Sequence, residues 1–254
     1  MKNSPLSVHR AALAAICVAA LAPLTACGPD TGPAAADGSK PSRTTAGSTN
    51  TRPNGIASLP AEEIYEAGTK ANAASGSFRE RSESTHTVSD MRISATECVG
   101  KVHLIKDDYG KIGGSFEIIS KGNNVWVRFD AGFSKWIKAE YDLPAGKWLH
   151  GTPSTGLTKI LVSHCDHQKF TSPDKGDSGM KKLTATTLEG VPVSQVTSQG
   201  SGGEATFSIA NTGKPYLLKR KAARPDLADI SYLEFGKPVD AKAPSGEITE
   251  APTR

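Results

Sequence analysis

The stretch KIGGSFEIISKGNNVWVRFD, residues 111–130, alternates apolar and polar side chains on both sides of a short polar break. A period of two is typical of strands that bury one face. The Gly and Asn residues at the break favour a hairpin turn. We therefore predict an antiparallel pair of strands here. Its apolar face carries Ile112, Phe116, Ile118, Val125, Val127 and Phe129.

Similar runs surround this pair. Upstream, GSFRERSESTHTV and KVHLIKDDYG each predict one strand, which makes a first set of four. Downstream, VPVSQVTS, EATFSIA, PYLLKRKAA and DISYLEFG predict a second set of four. Phe207 and Ile209 extend the apolar surface in the second set, where Asn211 and Gly213 favour a hairpin turn.

Two segments have helical periodicity instead. LPAEEIYEAGTKANAAS, residues 59–75, begins with a proline and two glutamates, which suit a helix start, and continues with small apolar residues at helical spacing. STGLTKILVSHC, residues 154–165, places Leu157, Ile160 and Leu161 on one face. A connector, residues 142–149, precedes the second helix. Because helices are available to cover the apolar face of an antiparallel sheet, we predict an α+β domain with a curved antiparallel sheet.

The chain begins with a different pattern. Lys2, His9 and Arg10 precede an apolar run that ends near Leu24, which is shorter than the roughly 20 residues of a membrane-spanning helix. A basic start, a short apolar core and small residues before a cleavage point are typical of a secretory signal peptide. We therefore assign residues 1–26 to a signal peptide.

The sequence Leu24-Thr25-Ala26-Cys27 is similar to the lipobox of bacterial lipoproteins. In such a motif the small side chains admit the peptidase, and the cysteine thiolate receives the diacylglyceryl group. Two or more acyl chains make a stable anchor. We expect a protein held by acylated Cys27 on the extracytoplasmic side of the cell membrane.

Composition divides the rest of the chain. Residues 27–57 are rich in Gly, Pro, Ala, Ser and Thr and have too few apolar side chains to fold, so we expect a disordered tether after Cys27. Residues 58–239 have the length of one ordinary domain. Residues 240–254 resemble the tether, and we expect a disordered C-terminal tail.

Cys98 and Cys165 are the two cysteines left in the exported, acylated chain. An even pair in an oxidising compartment favours a disulfide. Two alternatives stay open: free thiols, or a metal site built on His164, Cys165, Asp166 and His167. Zinc sites commonly pair their ligands across two short spacings, and the second pairing is absent from this sequence. We expect a disulfide and no metal.

Other chemistry is not indicated. The net charge is +4 with basic and acidic residues interleaved, so we expect no nucleic-acid partner. A G-x-S-x-G elbow is absent, and the GSGG at residues 200–203 has no strand-then-helix context for a phosphate loop. We expect neither a cofactor nor enzymatic activity.

Several segments, taken in order, resemble a known family. After the lipobox and tether come LPAEEIYEAGTKANAASGSF, NNVWVRFD, GKW, LEGVPV, GKPYLLK and LEFGKPVDAKAP. Together they resemble the actinobacterial lipoproteins of the LppX/LprAFG type, which are related in fold to the LolA lipoprotein carriers. The resemblance implies a half-barrel sheet with helices over its concave face, enclosing an apolar cavity that holds acyl chains of lipids or glycolipids.

The strands offer more apolar surface than one alanine-rich helix easily covers. We therefore predict an apolar ligand cavity between sheet and helices, and we expect a bulky residue at Val127 or Ile118 to obstruct it. The alternative is a sensor or accessory lipoprotein that binds another envelope protein, whose identity the sequence does not indicate. The predicted cavity residues are Ile112, Phe116, Ile118, Val125, Val127, Phe129, Leu157, Ile160, Leu161, Phe207 and Ile209.

Overall fold

The computed structural model describes residues 52–105, 113–138, 141, 143–172, 178–200 and 202–253. The predicted signal peptide, Cys27, most of the predicted tether and Ile112 lie outside these described residues. Within them, no helix is both long enough and apolar enough to cross a membrane.

The folded part begins before residue 58, where we had placed the boundary. Pro53 forms a bridge with Thr212, and the Asn54 amide donates to the Asn211 carbonyl at 3.0 Å. Ile56 is buried in a short 3-10 helix, Ile56–Ser58. The last residues of the predicted tether therefore pack on the domain, because Ile56 is an apolar side chain that the core can accept.

Helix α1, Ala61–Ala74, confirms the first predicted helix, with Pro60 as N-cap and Glu62 and Glu63 in the first turn. Five strands follow where we expected four. The run GSFRERSESTHTV divides in two, because the Ser84 hydroxyl accepts hydrogen bonds from the His86 and Thr87 amides and closes a turn. The five strands are β1 Ser77–Glu83, β2 Thr87–Ser94, β3 Glu97–Leu104, β4 Gly114–Lys121 and β5 Asn124–Phe129.

The middle of the chain holds the helices. Helix α2, Ala131–Ile137, was not predicted; the Asp130 side chain caps it by accepting from the Phe133 amide at 2.8 Å. The connector ends in strand β6, Trp148–Gly151. The second predicted helix divides into α3, Gly156–Leu161, and a 3-10 turn, Val162–Cys165, before α4, His167–Thr171.

The second half is mostly strand. The four predicted strands form, and three further ones, β7, β8 and β13, were missed because they have only three to five residues. The strands are β7 Ser178–Lys182, β8 Thr186–Leu188, β9 Val191–Gly200, β10 Gly203–Ala210, β11 Leu217–Ala222, β12 Asp229–Leu233 and β13 Ile248–Glu250.

These strands form one open, curved sheet in the order β13-β6-β5-β4-β3-β2-β1-β12-β11-β10-β9-β7, with β8 also paired to β9. The predicted α+β class with a curved sheet is confirmed. One detail differs: β13 runs parallel to β6, so the sheet is mixed rather than purely antiparallel. The pairing of β1 with β12 joins the first set of strands to the second.

The two faces of the sheet differ in polarity. The helices pack against the apolar face, where Phe78, Ile93 and Ile118 are buried. The opposite face carries ion pairs such as Arg128 with Glu117, whose closest atoms are 2.7 Å apart. A cavity for an apolar ligand is therefore expected on the helical side, where the apolar side chains lie.

Residues 240–254 do not form the disordered tail that we predicted. Strand β13 pairs with β6, and the Ala251 amide donates to the His150 carbonyl at 2.7 Å. Ala241 and Ala251 are buried. Gly151 of β6 makes room for Thr158 of α3, since a Cβ at this position would lie 2.6 Å from the Thr158 hydroxyl, and the Ala251 methyl group lies beside it at contact distance. The small side chains of this segment made its composition resemble that of a disordered tail. In the structure, their small size allows the segment to pack closely on the domain.

Candidate functional site

A cavity of about 190 Å³ lies between helices α1 and α4 and strands β10, β11 and β12. Its apolar wall consists of Tyr65, Phe170, Phe207, Leu217, Ile230 and Tyr232. Its polar wall consists of Thr69, Lys169, Ser172 and Arg220.

Helix α1 supplies one side of this cavity through Tyr65 and Thr69, which occupy one face at a spacing of four residues. The Tyr65 ring lies 4.6 Å from the Phe207 ring, centroid to centroid. Gly68, which lies between Tyr65 and Thr69 in the sequence, allows α1 to approach β10 and β11. A Cβ at this position would lie 2.9 Å from the Ile209 side chain. The close packing of α1 on the sheet therefore holds the Tyr65 ring against the Phe207 ring.

Helix α4 covers another side. The Asp166 carboxylate accepts from the Gln168 and Lys169 amides at 3.0 and 3.2 Å and thereby starts the helix. Directly before it, Cys165 forms a disulfide with Cys98 of β3, with 5.6 Å between the two Cα atoms. The structure thus ties the segment that carries Lys169 and Phe170 to the sheet.

Arg220 places a guanidinium group next to apolar residues of the cavity. It lies opposite Phe207 of β10 and Ile230 of β12 in the sheet register, so all three side chains leave the same face. Its Nη1 donates to the Ala228 carbonyl at 3.2 Å. Its Nε is buried and has no hydrogen-bond partner among the residues that the structure describes.

Glu80 is a buried carboxyl group beside the cavity, opposite Tyr232 in the register and only 1% exposed. The Ser89 hydroxyl donates to its Oε2 at 3.1 Å. Burial raises the pKa of Glu80 to about 7, against the opposing effects of the hydrogen bonds from Ser89 and Ser82 and the charge of Lys169. The carboxyl group is therefore partly protonated near neutral pH.

The two histidines beside the disulfide are partly buried and pack against aromatic side chains. His164 packs against Phe116 and His167 against Phe78, with ring centroids 5.5 and 5.3 Å apart. Burial lowers the pKa of both imidazoles. In the described part of the chain, no three His, Cys, Asp or Glu side chains are grouped so that they could hold a metal ion.

The structure distributes the predicted cavity residues over three environments. Phe207 lines the cavity. Ile160 is 62% exposed, which corrects its predicted place, because α3 buries Leu157, Thr158 and Leu161 instead. The remaining described residues are buried in the core and do not line this cavity: Phe116, Ile118, Val125, Val127, Phe129, Leu157, Leu161 and Ile209. Of these, Phe116 and Phe129 border a separate hollow of about 220 Å³.

Of the ten residues that line the cavity, the sequence predicted only Phe207; those it missed include Arg220, Lys169 and Phe170. Counting alternate positions from buried Leu217 would place Arg220 on the outer face. A bulge opposite Ser208 and Ile209 inserts one extra residue in β11 and reverses the alternation. Helix α4 has only five residues, which is too short for a periodic signal.

A larger hollow of about 490 Å³ lies at the ends of β1, β11 and β12. Its wall contains Glu83, Lys221, Arg224 and Asp229 together with small residues. Such a charged wall is typical of a solvated groove, so it is a weaker candidate than the aromatic cavity.

Comparison with known proteins adds structural similarity alone. No protein-family profile matches the sequence, and no curated protein matches it. The fold is similar to that of LprF from Mycobacterium bovis, at 13% identity and a TM-score of 0.49, covering 73% of this chain and 97% of that one. It is also similar to the Mycobacterium tuberculosis lipoprotein LppX, at 13% identity and a TM-score of 0.46, covering 71% and 97%.

A putative outer membrane lipoprotein-sorting protein domain from Vibrio parahaemolyticus is similar at 11% identity and a TM-score of 0.24, covering 69% of this chain and 92% of that one. LprF and LppX are of the LppX/LprAFG type that segments of this sequence resemble.

Proposed function

We propose that the protein is a lipoprotein anchored through acylated Cys27 on the extracytoplasmic side of the cell membrane, and that its domain binds a lipid or another amphiphile. The single observation that carries this proposal is the aromatic and aliphatic cavity between α1, α4 and the sheet. Apolar walls without a guest lose dispersion contacts, so a partly open cavity lined by aromatic and aliphatic side chains favours a ligand with an apolar part.

The size of the cavity limits the ligand. Its 190 Å³ is below the roughly 300–1,000 Å³ of sites that enclose a drug-sized molecule. The space therefore suits part of a single acyl chain, and a lipid with several chains would require α4 to move away from α1. The disulfide restrains such a movement, because it holds Cys165 immediately before α4.

Photo-crosslinking tests the proposal on the full chain in non-ionic detergent. A palmitic acid that carries a diazirine on its chain is added, and labelled peptides are mapped by mass spectrometry. We expect labels in α1, α4 and β10–β12. Labels scattered over the outer face of the sheet, or none, would contradict lipid binding at this cavity.

A matched pair of substitutions distinguishes the cavity from other surfaces. Ile230→Trp adds bulk to the cavity wall, whereas Ile160→Trp adds the same bulk at an exposed position. We expect Ile230→Trp to reduce labelling strongly and Ile160→Trp to leave it unchanged. Equal labelling of both variants would count against the cavity.

The alternative, an accessory lipoprotein that binds another envelope protein, has its own supporting observation. Most of the residues predicted to line a cavity pack as ordinary core, and Trp136 and Ile160 are 41% and 62% exposed on helices. Crosslinking of a protein partner through these two side chains, without lipid labelling of the cavity, would favour that function.

A further inference from the structure

We infer that the polar end of the ligand is an anion, a carboxylate or a phosphate, which Arg220 and Lys169 bind at the cavity between α1, α4 and β10–β12. This inference rests on the proposed function and deepens it, because it names the chemical class of the headgroup.

Arg220 is a cation of the cavity lining whose N–H donors are mostly without protein acceptors among the described residues. A guanidinium group among apolar side chains is costly unless its donors are satisfied. Here it has five N–H donors, and the described residues provide one acceptor, the Ala228 carbonyl, while the buried Nε has none. A carboxylate or phosphate oxygen is the acceptor whose geometry matches a guanidinium group best.

Lys169 adds a second cation on the other side of the cavity. It belongs to α4 and is exposed, and its Nζ lies 5.7 Å from the centre of the Phe170 ring. Among the described side chains, no carboxylate lies within ion-pair distance of Lys169 or Arg220. Two cations that face one apolar space without an ion pair favour an anionic guest at its polar end.

Glu80 is the acidic group that could compensate these charges instead. Its Oε2 accepts from Ser89, and no ion pair with either cation is formed among the described residues. Its pKa is raised to about 7, whereas a carboxylate paired with a cation would have a lowered pKa. Glu80 therefore forms no ion pair with Arg220 or Lys169 among the described residues, and its partly protonated carboxyl group compensates the charge of Lys169 only in part.

The test compares two photoreactive probes with the same sixteen-carbon chain on the full-length protein in non-ionic detergent: palmitic acid and hexadecanol. We expect the acid to label the cavity peptides about tenfold more efficiently than the alcohol, since the carboxylate adds charge-assisted hydrogen bonds. Arg220→Gln should lower labelling by the acid to the level of the alcohol and leave labelling by the alcohol unchanged.

Matched controls separate charge from folding. Arg224→Gln removes an exposed guanidinium group from the same hairpin and should have no effect. Lys169→Gln changes an exposed side chain, so it leaves the core intact, and should reduce labelling by the acid severalfold. If Arg220→Gln does not fold, the labelling of Lys169→Gln by the acid tests by itself whether a cation binds the headgroup.

Competition identifies the source of the anion. Unlabelled palmitate and lysophosphatidic acid should each displace the acid probe, and the stronger competitor shows whether the headgroup is a carboxylate or a phosphate. Displacement by inorganic phosphate at equal concentration would instead indicate a site for the free anion.

Equal labelling by acid and alcohol, unaffected by Lys169→Gln, would overturn the inference and leave lipid binding intact. Absence of labelling by both probes would contradict the proposed function itself.

Discussion

Asn72 of α1 pairs with the backbone of Leu217 as a neighbouring strand would. Its Nδ2 donates to the Leu217 carbonyl at 3.0 Å, and its Oδ1 accepts from the Leu217 amide at 3.1 Å. Leu217 lies next to the bulge in β11, before the residues that pair with β12. The side chain of Asn72 is fully buried there. One amide side chain thus docks the helix on the sheet where the strand ladder is interrupted.

Asn72→Ala should destabilise the fold by about 3 kcal/mol, because it leaves a buried N–H and a buried C=O without partners. Urea unfolding measures the loss. Lys70→Ala on the exposed side of the same helix is the control and should cost less than about 0.5 kcal/mol. Equal stability of Asn72→Ala and the natural protein would show that water replaces the amide at no cost.

The pair Cys98–Cys165 should be found as a linked peptide in non-reducing mapping of the exported protein. Replacing both cysteines by serine should lower the free energy of unfolding by about 4 kcal/mol, because the disulfide closes a loop of 67 residues. Chemical reduction of the natural protein should give the same loss. Full alkylation of both thiols without reduction would contradict the pairing.

Glu80→Gln should stabilise the protein at alkaline pH. The pKa of this carboxyl group rises from an ordinary value of 4.5 to about 7 on folding, so the stabilisation by its neutral form is complete below pH 4.5 and is lost as the pH rises through 7. Relative to the natural protein, the variant should gain about 2 kcal/mol between pH 5 and pH 8. Glu62→Gln, at an exposed position in α1, is the control variant.

Val127→Trp should destabilise the domain by about 1–3 kcal/mol without a selective effect on the ligand, because Val127 is buried in packed core and does not line the cavity. Ile230→Trp should reduce lipid labelling and change stability less. Thermal unfolding together with crosslinking measures both. If Val127→Trp instead reduced lipid labelling and Ile230→Trp did not, the ligand would enter between β5 and the helices.

Cys27→Ala should abolish membrane anchoring. Without the thiol no diacylglyceryl group can be attached, so the protein should remain unprocessed or be released, and it should leave the detergent phase on phase separation. A processed Cys27→Ala protein that stays in the membrane fraction would show that another segment anchors the chain.

Local sequence patterns determined much of this protein. Apolar alternation in residues such as Phe116 and Ile118 predicted strands that form, and helical spacing around Ile64 predicted α1. These patterns are sufficient because burying one face of a regular element is a property of its own residues. The α+β class with a curved sheet follows from their order along the chain.

The tertiary structure decided the rest. The bulge in β11 turns Arg220 inward, and the approach of α1 creates the cavity wall from Tyr65 and Phe207. Strand β13 forms because β6 offers an open edge about a hundred residues earlier in the chain. Each of these features depends on a partner distant in sequence, so the residues involved carry no local signal. Which face a side chain occupies, and whether the space beside it is filled, is fixed only when the elements pack together.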